Sequence, residues 1–312
     1  MRLLALSGFV PEAVCDVERF VHFSGDRNIA HYCGYANDYI SQVITDPGID
    51  GAVFPKSCDS SRIIGSYLDS CGKFIYQIPV PPRRDRAAVL YLAEELQRYH
   101  QSLEEYYECR LQDIPDRMER IWQRNRMIGE AYDRLESISY TDYLQAIHSC
   151  LKKPLSEQKF QVSSECNMGL KKRVFLVGSF LSNERIPAAV ESVGLKIVGD
   201  DLPESGRLRN QMYPERDTVY ASIAEGMLLN RLSPTQSDFE RMIDRDLHEI
   251  HKSGVDAVIF ITQKYCEPYD YLYYIFRKKL EAQKIPALKI SVTNSEDSGK
   301  LELILDAFAD TL

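Results

Sequence analysis

Apolar residues in this chain gather in short runs, which alternate with longer segments where they recur every three or four positions. Residues 3–7, 51–55 and 73–78 are short runs, 27–32 is a further candidate, and Asp46-Pro47-Gly48 supplies a turn before the second. Runs bounded by turn residues predict buried strands, and strands alternating with helices predict a parallel sheet covered on both faces. Within this unit a first helix is expected to carry Cys15, residues 37–44 read as a short helix, and Pro79, Pro81 and Pro82 close the 73–78 strand.

The pattern then changes. Asp85 is a suitable N-cap for a helix running from Arg86 past Tyr106, with Val89, Leu92, Ala93 and Leu96 on one face. Helices over 115–135 and 140–151 follow without a strand signal, and the polar segment 153–168 reads as a linker. Strands over 173–177, 195–198, 257–261 and 287–292 then alternate with helices over 184–193, 218–232, 238–252, 271–283 and 301–309. The expected fold class is α/β, with two Rossmann-like, flavodoxin-like parallel-sheet domains (1–84 and 166–312) joined by a helical segment (85–165). Crossovers between the parallel strands are expected to be right-handed.

Composition narrows the partners. At 312 residues the chain exceeds the usual size of one core, which agrees with two domains. A formal net charge of -8 argues against a nucleic-acid partner, since phosphate binding calls for a basic face. No apolar run approaches the ~18 residues of a membrane span. The opening residues lack a small-residue cleavage site, and Pro11 and Glu12 arrive too early for a signal peptide, so a cytoplasmic protein is expected.

Eight cysteines remain to be explained. In a reducing compartment they are metal ligands, catalysts or simply buried thiols. None shows the CxxC spacing of a zinc ribbon or a ferredoxin-type run, so spacing alone leaves burial and ligation both open. Position favours three of them, because ligands of open α/β sheets gather outside the carboxyl ends of the strands. Cys58 lies just past the 51–55 run, in Pro55-Lys56-Ser57-Cys58-Asp59, and Cys266 just past the 257–261 run, in Tyr265-Cys266-Glu267-Pro268. Cys33 follows the candidate 27–32 strand and precedes a helix. Cys58 and Cys266 are each expected to open a helix, whose N-terminus favours a thiolate. Cys15, Cys109, Cys150 and the linker residue Cys166 are expected to pack, and Cys71, in a turn near Cys58, is a reserve candidate.

With these residues in place, the chain resembles the 2-hydroxyacyl-CoA dehydratase family (D-component type), which includes benzoyl-CoA reductase subunits. The matching pieces run in order from Gly8-Phe9-Val10-Pro11-Glu12 and Cys33 through Asp50-Gly51-Ala52-Val53-Phe54-Pro55 to Cys58-Asp59. They continue with Lys172-Arg173-Val174-Phe175-Leu176-Val177-Gly178-Ser179, Gly199-Asp200-Asp201, Gly254-Val255-Asp256-Ala257 and Tyr265-Cys266-Glu267-Pro268. Ile285-Pro286-Ala287-Leu288, Gly299-Lys300-Leu301 and Ala307-Phe308 close the series.

The resemblance implies a [4Fe–4S] cluster on Cys33, Cys58 and Cys266, with the fourth iron position open to substrate or a small ligand. It implies an iron–sulfur subunit of a radical dehydratase, a lyase removing water from a 2-hydroxyacyl-CoA thioester. It also implies a homologous partner subunit (hetero- or homodimer) and a separate ATP-dependent activator that donates one electron. The absence of a G-x-x-x-x-G-K-[ST] phosphate loop is consistent with an external activator. The alternative is a [4Fe–4S] reductase or electron-transfer subunit of the benzoyl-CoA reductase type. A protein whose cysteines are merely buried is the non-enzymatic reading.

Ser7 and Glu12 are the candidates to touch substrate or assist proton transfer, although Glu12 reads equally well as a carboxylate starting a helix after Pro11. Asp59 and Glu267 are expected to cap helices or position loops, and Arg62 to solvate a helix face. Against the family pattern, Ser233-Pro234 stands where many members have Cys-Pro. The chain also opens almost directly on Val10-Pro11-Glu12, without the longer helical region common in the family that helps cover the site or the partner subunit, so the resemblance leaves CoA binding and subunit pairing open.

Overall fold

Two parallel four-stranded sheets carry the architecture. The computed structural model describes residues 1–6, 9, 11–20, 32–162, 172–181, 184–209, 212–229, 232–292 and 298–312. The first sheet comprises β1 (Leu3–Leu6), β2 (Glu18–Phe20), β3 (Gly51–Pro55) and β4 (Phe74–Ile78), in spatial order β2-β1-β3-β4. The second comprises β5 (Lys172–Gly178), β6 (Leu195–Asp201), β7 (Ala257–Gln263) and β8 (Ala287–Val292), in the matching order β6-β5-β7-β8. Every pairing is parallel.

Strand alternation explains why both faces are covered. In β1, Leu3 and Ala5 enter one apolar core and Leu4 and Leu6 the core on the opposite face. In β5, Val174 and Leu176 separate from Phe175 and Val177 in the same way. Helices α1 (Gly34–Thr45) and α2 (Asp59–Leu68) pack on one face of the first sheet, and α3 (Arg86–Tyr106) on the other. Asp85 caps α3 by accepting from the Ala88 N–H at 3.0 Å, as its sequence position predicts.

The helical segment joins the halves physically. On α4 (Ile114–Tyr132), Ile114 and Ile121 lie in a core of the first sheet, while Ile128, Ala131 and Tyr132 lie in a core of the second. Helix α5 (Tyr140–Leu151) packs with the second sheet, as does α6 (Arg185–Ser192). Helix α7 (Val219–Leu229) crosses the other way: its Ile223, Ala224, Met227 and Leu228 pack with α3 beside the first sheet. Arg84 fastens it by donating to the α7 carbonyls of Leu228 and Leu229 and pairing with Asp238. Helices α8 (Glu240–Ser253) and α9 (Glu267–Ala282) cover the remaining face of the second sheet, and α10 (Ser298–Ala309) ends the chain.

Two local expectations differ from the structure. Cys15 sits in a bend rather than on a helix, and the edge strand paired with β1 is Glu18–Phe20. That edge strand is too short for an alternation signal, and Arg19 is held by an ion pair with Glu12 that no local pattern reveals. The 27–32 strand candidate lies outside the described residues except for Tyr32, which is in a bend. Helix α9 begins earlier than its apolar spacing indicated because Pro268 occupies its first turn, where a missing N–H costs nothing.

Candidate functional site

Strand order locates the site. In each sheet the chain runs from the first strand to one side, then returns to place its next strands on the other, so β1/β3 and β5/β7 flank topological switch points. A cavity of about 110 Å³ is lined from both: by Leu6, Phe9, Pro55, Ser57 and Cys58 beyond β1 and β3, and by Ser179, Phe180, Gln263 and Cys266 beyond β5 and β7. The crevices of the two sheets open onto one another. Tyr35 and Phe180 close one side as a parallel stack, with ring centroids 4.4 Å apart and planes 7° apart.

Cys33, Cys58 and Cys266 all line this cavity, and each is the N-cap residue of a different helix: α1, α2 and α9. Three helix N-termini therefore bring their free N–H groups and positive dipole ends to one place. Ser61 fixes the turn around Cys58, its Oγ accepting from the N–H groups of Cys58 and Ser57 at 3.0 and 3.1 Å. Burial pushes the Cys33 thiol up to about 11, eased by the Ala36 N–H and raised again by Cys58. Burial raises Cys266 as well, with Cys33 and Cys58 adding to it and the Tyr269 N–H opposing it. All three thiols face the same cavity. Burial thus disfavours the thiolates of Cys33 and Cys266, and a bound metal group would reverse that balance.

Among the described residues, no three His, Cys, Asp or Glu side chains are drawn together as ligands of a single ion. The donor set nonetheless fits an iron–sulfur cluster. A cubane presents its irons at separate corners, so its thiolates stand further apart than the ligands of one ion, and all-cysteine donors suit it.

The remaining sequence candidates fall elsewhere. Ser7 lies outside the described residues. Glu12 is 1% exposed, and both its oxygens are engaged: Arg19 donates to them at 2.6 Å and 2.6 Å, Arg124 at 3.1 and 2.9 Å. The two guanidiniums outweigh the cost of burial and hold its carboxyl well below the usual range. It is absent from the cavity wall, although neighbouring Phe9 is part of it. Asp59 and Arg62 form an exposed pair at 3.6 Å. Cys71 is partly exposed and packs against the apolar core that includes Phe54 and Leu68. Cys15 is fully buried beside the Tyr99 hydroxyl, at 3.1 Å, and its thiol is pushed up to about 12. Ser233 lines the cavity, so the departure from Cys-Pro falls inside the site.

Residues that sequence reasoning missed include Tyr35, Phe180, Arg207 and Tyr269, all in the cavity wall. Gly199-Asp200-Asp201 was the available signal for Arg207. Gly199 stands where a Cβ would come within 2.7 Å of the Phe175 ring. Asp200 caps its own loop, accepting from Leu202 N, Gly206 N and Ser205 Oγ at 2.8, 2.8 and 2.7 Å. Asp201 receives Arg207 in a two-pronged pair at 3.0 and 2.6 Å.

A pair of doubly wound sheets meeting at their switch points, with a cysteine from each of three helix N-termini in the shared crevice, defines an α/β protein built around a thiol-lined site. A family model for the 2-hydroxyglutaryl-CoA dehydratase D-component matches residues 3–312, and the chain belongs to that family. It is a 2-hydroxyacyl-CoA dehydratase-type enzyme, a hydro-lyase. The chain is similar to the (R)-phenyllactyl-CoA dehydratase beta subunit of Clostridium sporogenes, 23% identical over 283 residues that cover 85% of this chain and 75% of that subunit. Two solved GDP complexes, of SsGBP and of a GTP-binding protein from the archaeon Sulfolobus solfataricus, align over 99% of this chain and 98% of theirs. Their identities of 11% and 10% and TM-scores of 0.26 and 0.24 are too low to bear on fold or ligand. No helix among the described residues is long and apolar enough to cross a membrane.

Proposed function

We propose that Cys33, Cys58 and Cys266 hold a [4Fe–4S] cluster, and that this chain is the iron–sulfur subunit of a radical 2-hydroxyacyl-CoA dehydratase. The observation that carries the reading is the arrival of three N-cap cysteines, distant in sequence, at one cavity between facing switch points. When bound, such a cluster with an open iron position supplies both electron transfer and Lewis acidity.

The chain's own residues do the rest. Helix N-termini at α1, α2 and α9 favour the thiolate form and any anionic group brought to the crevice. Leu6, Phe9, Pro55, Phe180 and Leu232 make much of the wall apolar, which excludes water from a reactive thioester. Hydroxyls of Ser57, Ser60, Ser179 and Ser233 supply donors around it. Glu12, bound by Arg19 and Arg124, anchors the segment between Pro11 and β2, next to the cavity-wall residue Phe9. The cluster-bearing loops belong to units 1–84 and 166–312, with 85–165 as the bridge between them. The partners of this reading are an acyl-CoA-type substrate, a homologous subunit and an ATP-dependent activator.

Anaerobic purification and reconstitution, followed by iron and sulfide analysis, test the cluster; less than about one iron per chain overturns it. Adding the partner subunit, activator, ATP, reductant and a panel of 2-hydroxyacyl-CoA thioesters tests the reaction. Reduction of an unsaturated ring without dehydration of any thioester transfers the assignment to the reductase type.

A further inference from the structure

A buried cation stands in the wall of the thiol-lined cavity. Arg207 is 4% exposed, and its Nη1 donates to the Tyr269 hydroxyl at 2.8 Å. Its Nε and Nη2 bind Asp201 at 3.0 and 2.6 Å, with a further bond from Nη2 to the Asp201 carbonyl at 3.1 Å. Arg245 reaches the same carboxylate from α8. Tyr269 lies in the first turn of the helix that Cys266 opens, and both residues line the cavity. A chain of contacts thus runs from the end of β6 through Asp201 and Arg207 to Tyr269, in the first turn of that helix.

We infer that Arg207 is a positioning residue that sets the reduction potential of the group held by the three cysteines, by its charge and by fixing Tyr269 in the first turn of the helix that Cys266 opens. The inference rests on the cluster reading above. Reducing a cluster bound by three thiolates adds negative charge to a site that is already anionic. A desolvated cation in the wall favours that added charge. Asp201 opposes the effect while holding the guanidinium in place, so the two residues act with opposite electrical sign and the same structural purpose.

That opposition supplies the test. Wild-type protein, Arg207→Met and Asp201→Asn are reconstituted anaerobically, analysed for iron and titrated for midpoint potential by electron paramagnetic resonance. The expected result is iron content equal to wild type, a more negative midpoint for Arg207→Met and a less negative one for Asp201→Asn. Arg207→Lys, which keeps the charge, returns most of the wild-type value. Iron-replete variants with unmoved midpoints, or with shifts of the same sign in both, overturn the inference, since loosening alone carries no sign. Should Arg207→Met fail to fold, the positive shift of Asp201→Asn still decides. Failure of the wild-type protein to take up iron overturns the cluster reading instead, so the two failures are separate results.

Discussion

The ring of Tyr35, from the first helix of the first sheet, lies flat on the ring of Phe180, from the loop after the first strand of the second sheet. The contact joins the two halves at the wall of the cavity that holds the three cysteines. Aromatic pairs of this kind contribute about 0.5–1.5 kcal/mol beyond the area they bury. A double-mutant cycle of Tyr35→Leu and Phe180→Leu, read by denaturant unfolding, is expected to give a coupling in that range. A coupling indistinguishable from zero would mean that the stack does not tie the halves together.

Serine substitutions separate the cavity cysteines from the others. Cys33→Ser, Cys58→Ser and Cys266→Ser are each expected to lower bound iron sharply after reconstitution. Cys15→Ser is expected to leave it unchanged, since that thiol is buried beside Tyr99 and away from the cavity. Colorimetric iron and the visible charge-transfer band provide the measurement. Equal loss in all four variants would point to general unfolding rather than ligation.

Glu12 is expected to be a stability residue above all. Glu12→Gln leaves Arg19 and Arg124 buried without their counter-charge, a change that costs roughly 3–5 kcal/mol in comparable buried pairs. Its folded carboxyl lies below the ordinary range, so the contribution is fully present above the unfolded value of about 4.3. It is lost as the pH falls through the folded value. Unfolding curves between neutral and acid pH should therefore show the wild-type advantage over Glu12→Gln shrinking only at low pH.

Gly178 is the end of β5 and turns the chain into the cavity wall at Ser179 and Phe180. Its φ is +155°, and an added Cβ would lie 1.9 Å from the Ile261 carbonyl oxygen across the sheet. Gly178→Ala is expected to cost more than about 1 kcal/mol and to weaken iron retention together with stability. A variant as stable as wild type would contradict the close approach of β5 and β7.

Burial pushes the Glu204 carboxyl up to about 8, opposed by the Leu181 N–H that it accepts. A raised acid holds its proton in the folded chain after the unfolded chain has lost it. Its stability contribution is thus complete below about 4.3 and declines as the pH rises through about 8. Glu204→Gln does not titrate, so its stability relative to wild type should climb across that interval and then level off. A difference independent of pH would show that Glu204 is ionised in the folded state.

Much of the architecture was legible because it is written in local periodicity. The apolar runs at β3 and β8, the helix α5 and the Asp85 cap of α3 follow from short-range patterns that any burial on a sheet or helix face requires. Cys58 and Cys266 could be placed at strand ends for the same reason. The three-residue strand β2 could not be read, since its place depends on pairing with β1 and on the distant Arg124–Glu12–Arg19 cluster.

By itself, then, the sequence determined two parallel α/β units, a helical bridge and three cysteines poised at loops, because strand and helix periods and N-cap preferences act over a few residues. Tertiary structure alone decided that the two switch points face each other, that Cys33, Cys58 and Cys266 share one cavity, and that α7 packs beside the first sheet. It also made Glu12 a buried ion-pair centre and brought Arg207 to the cavity wall. Those outcomes depend on which faces bury against which, and on charges that find partners only after the chain has closed. No local pattern carries that information.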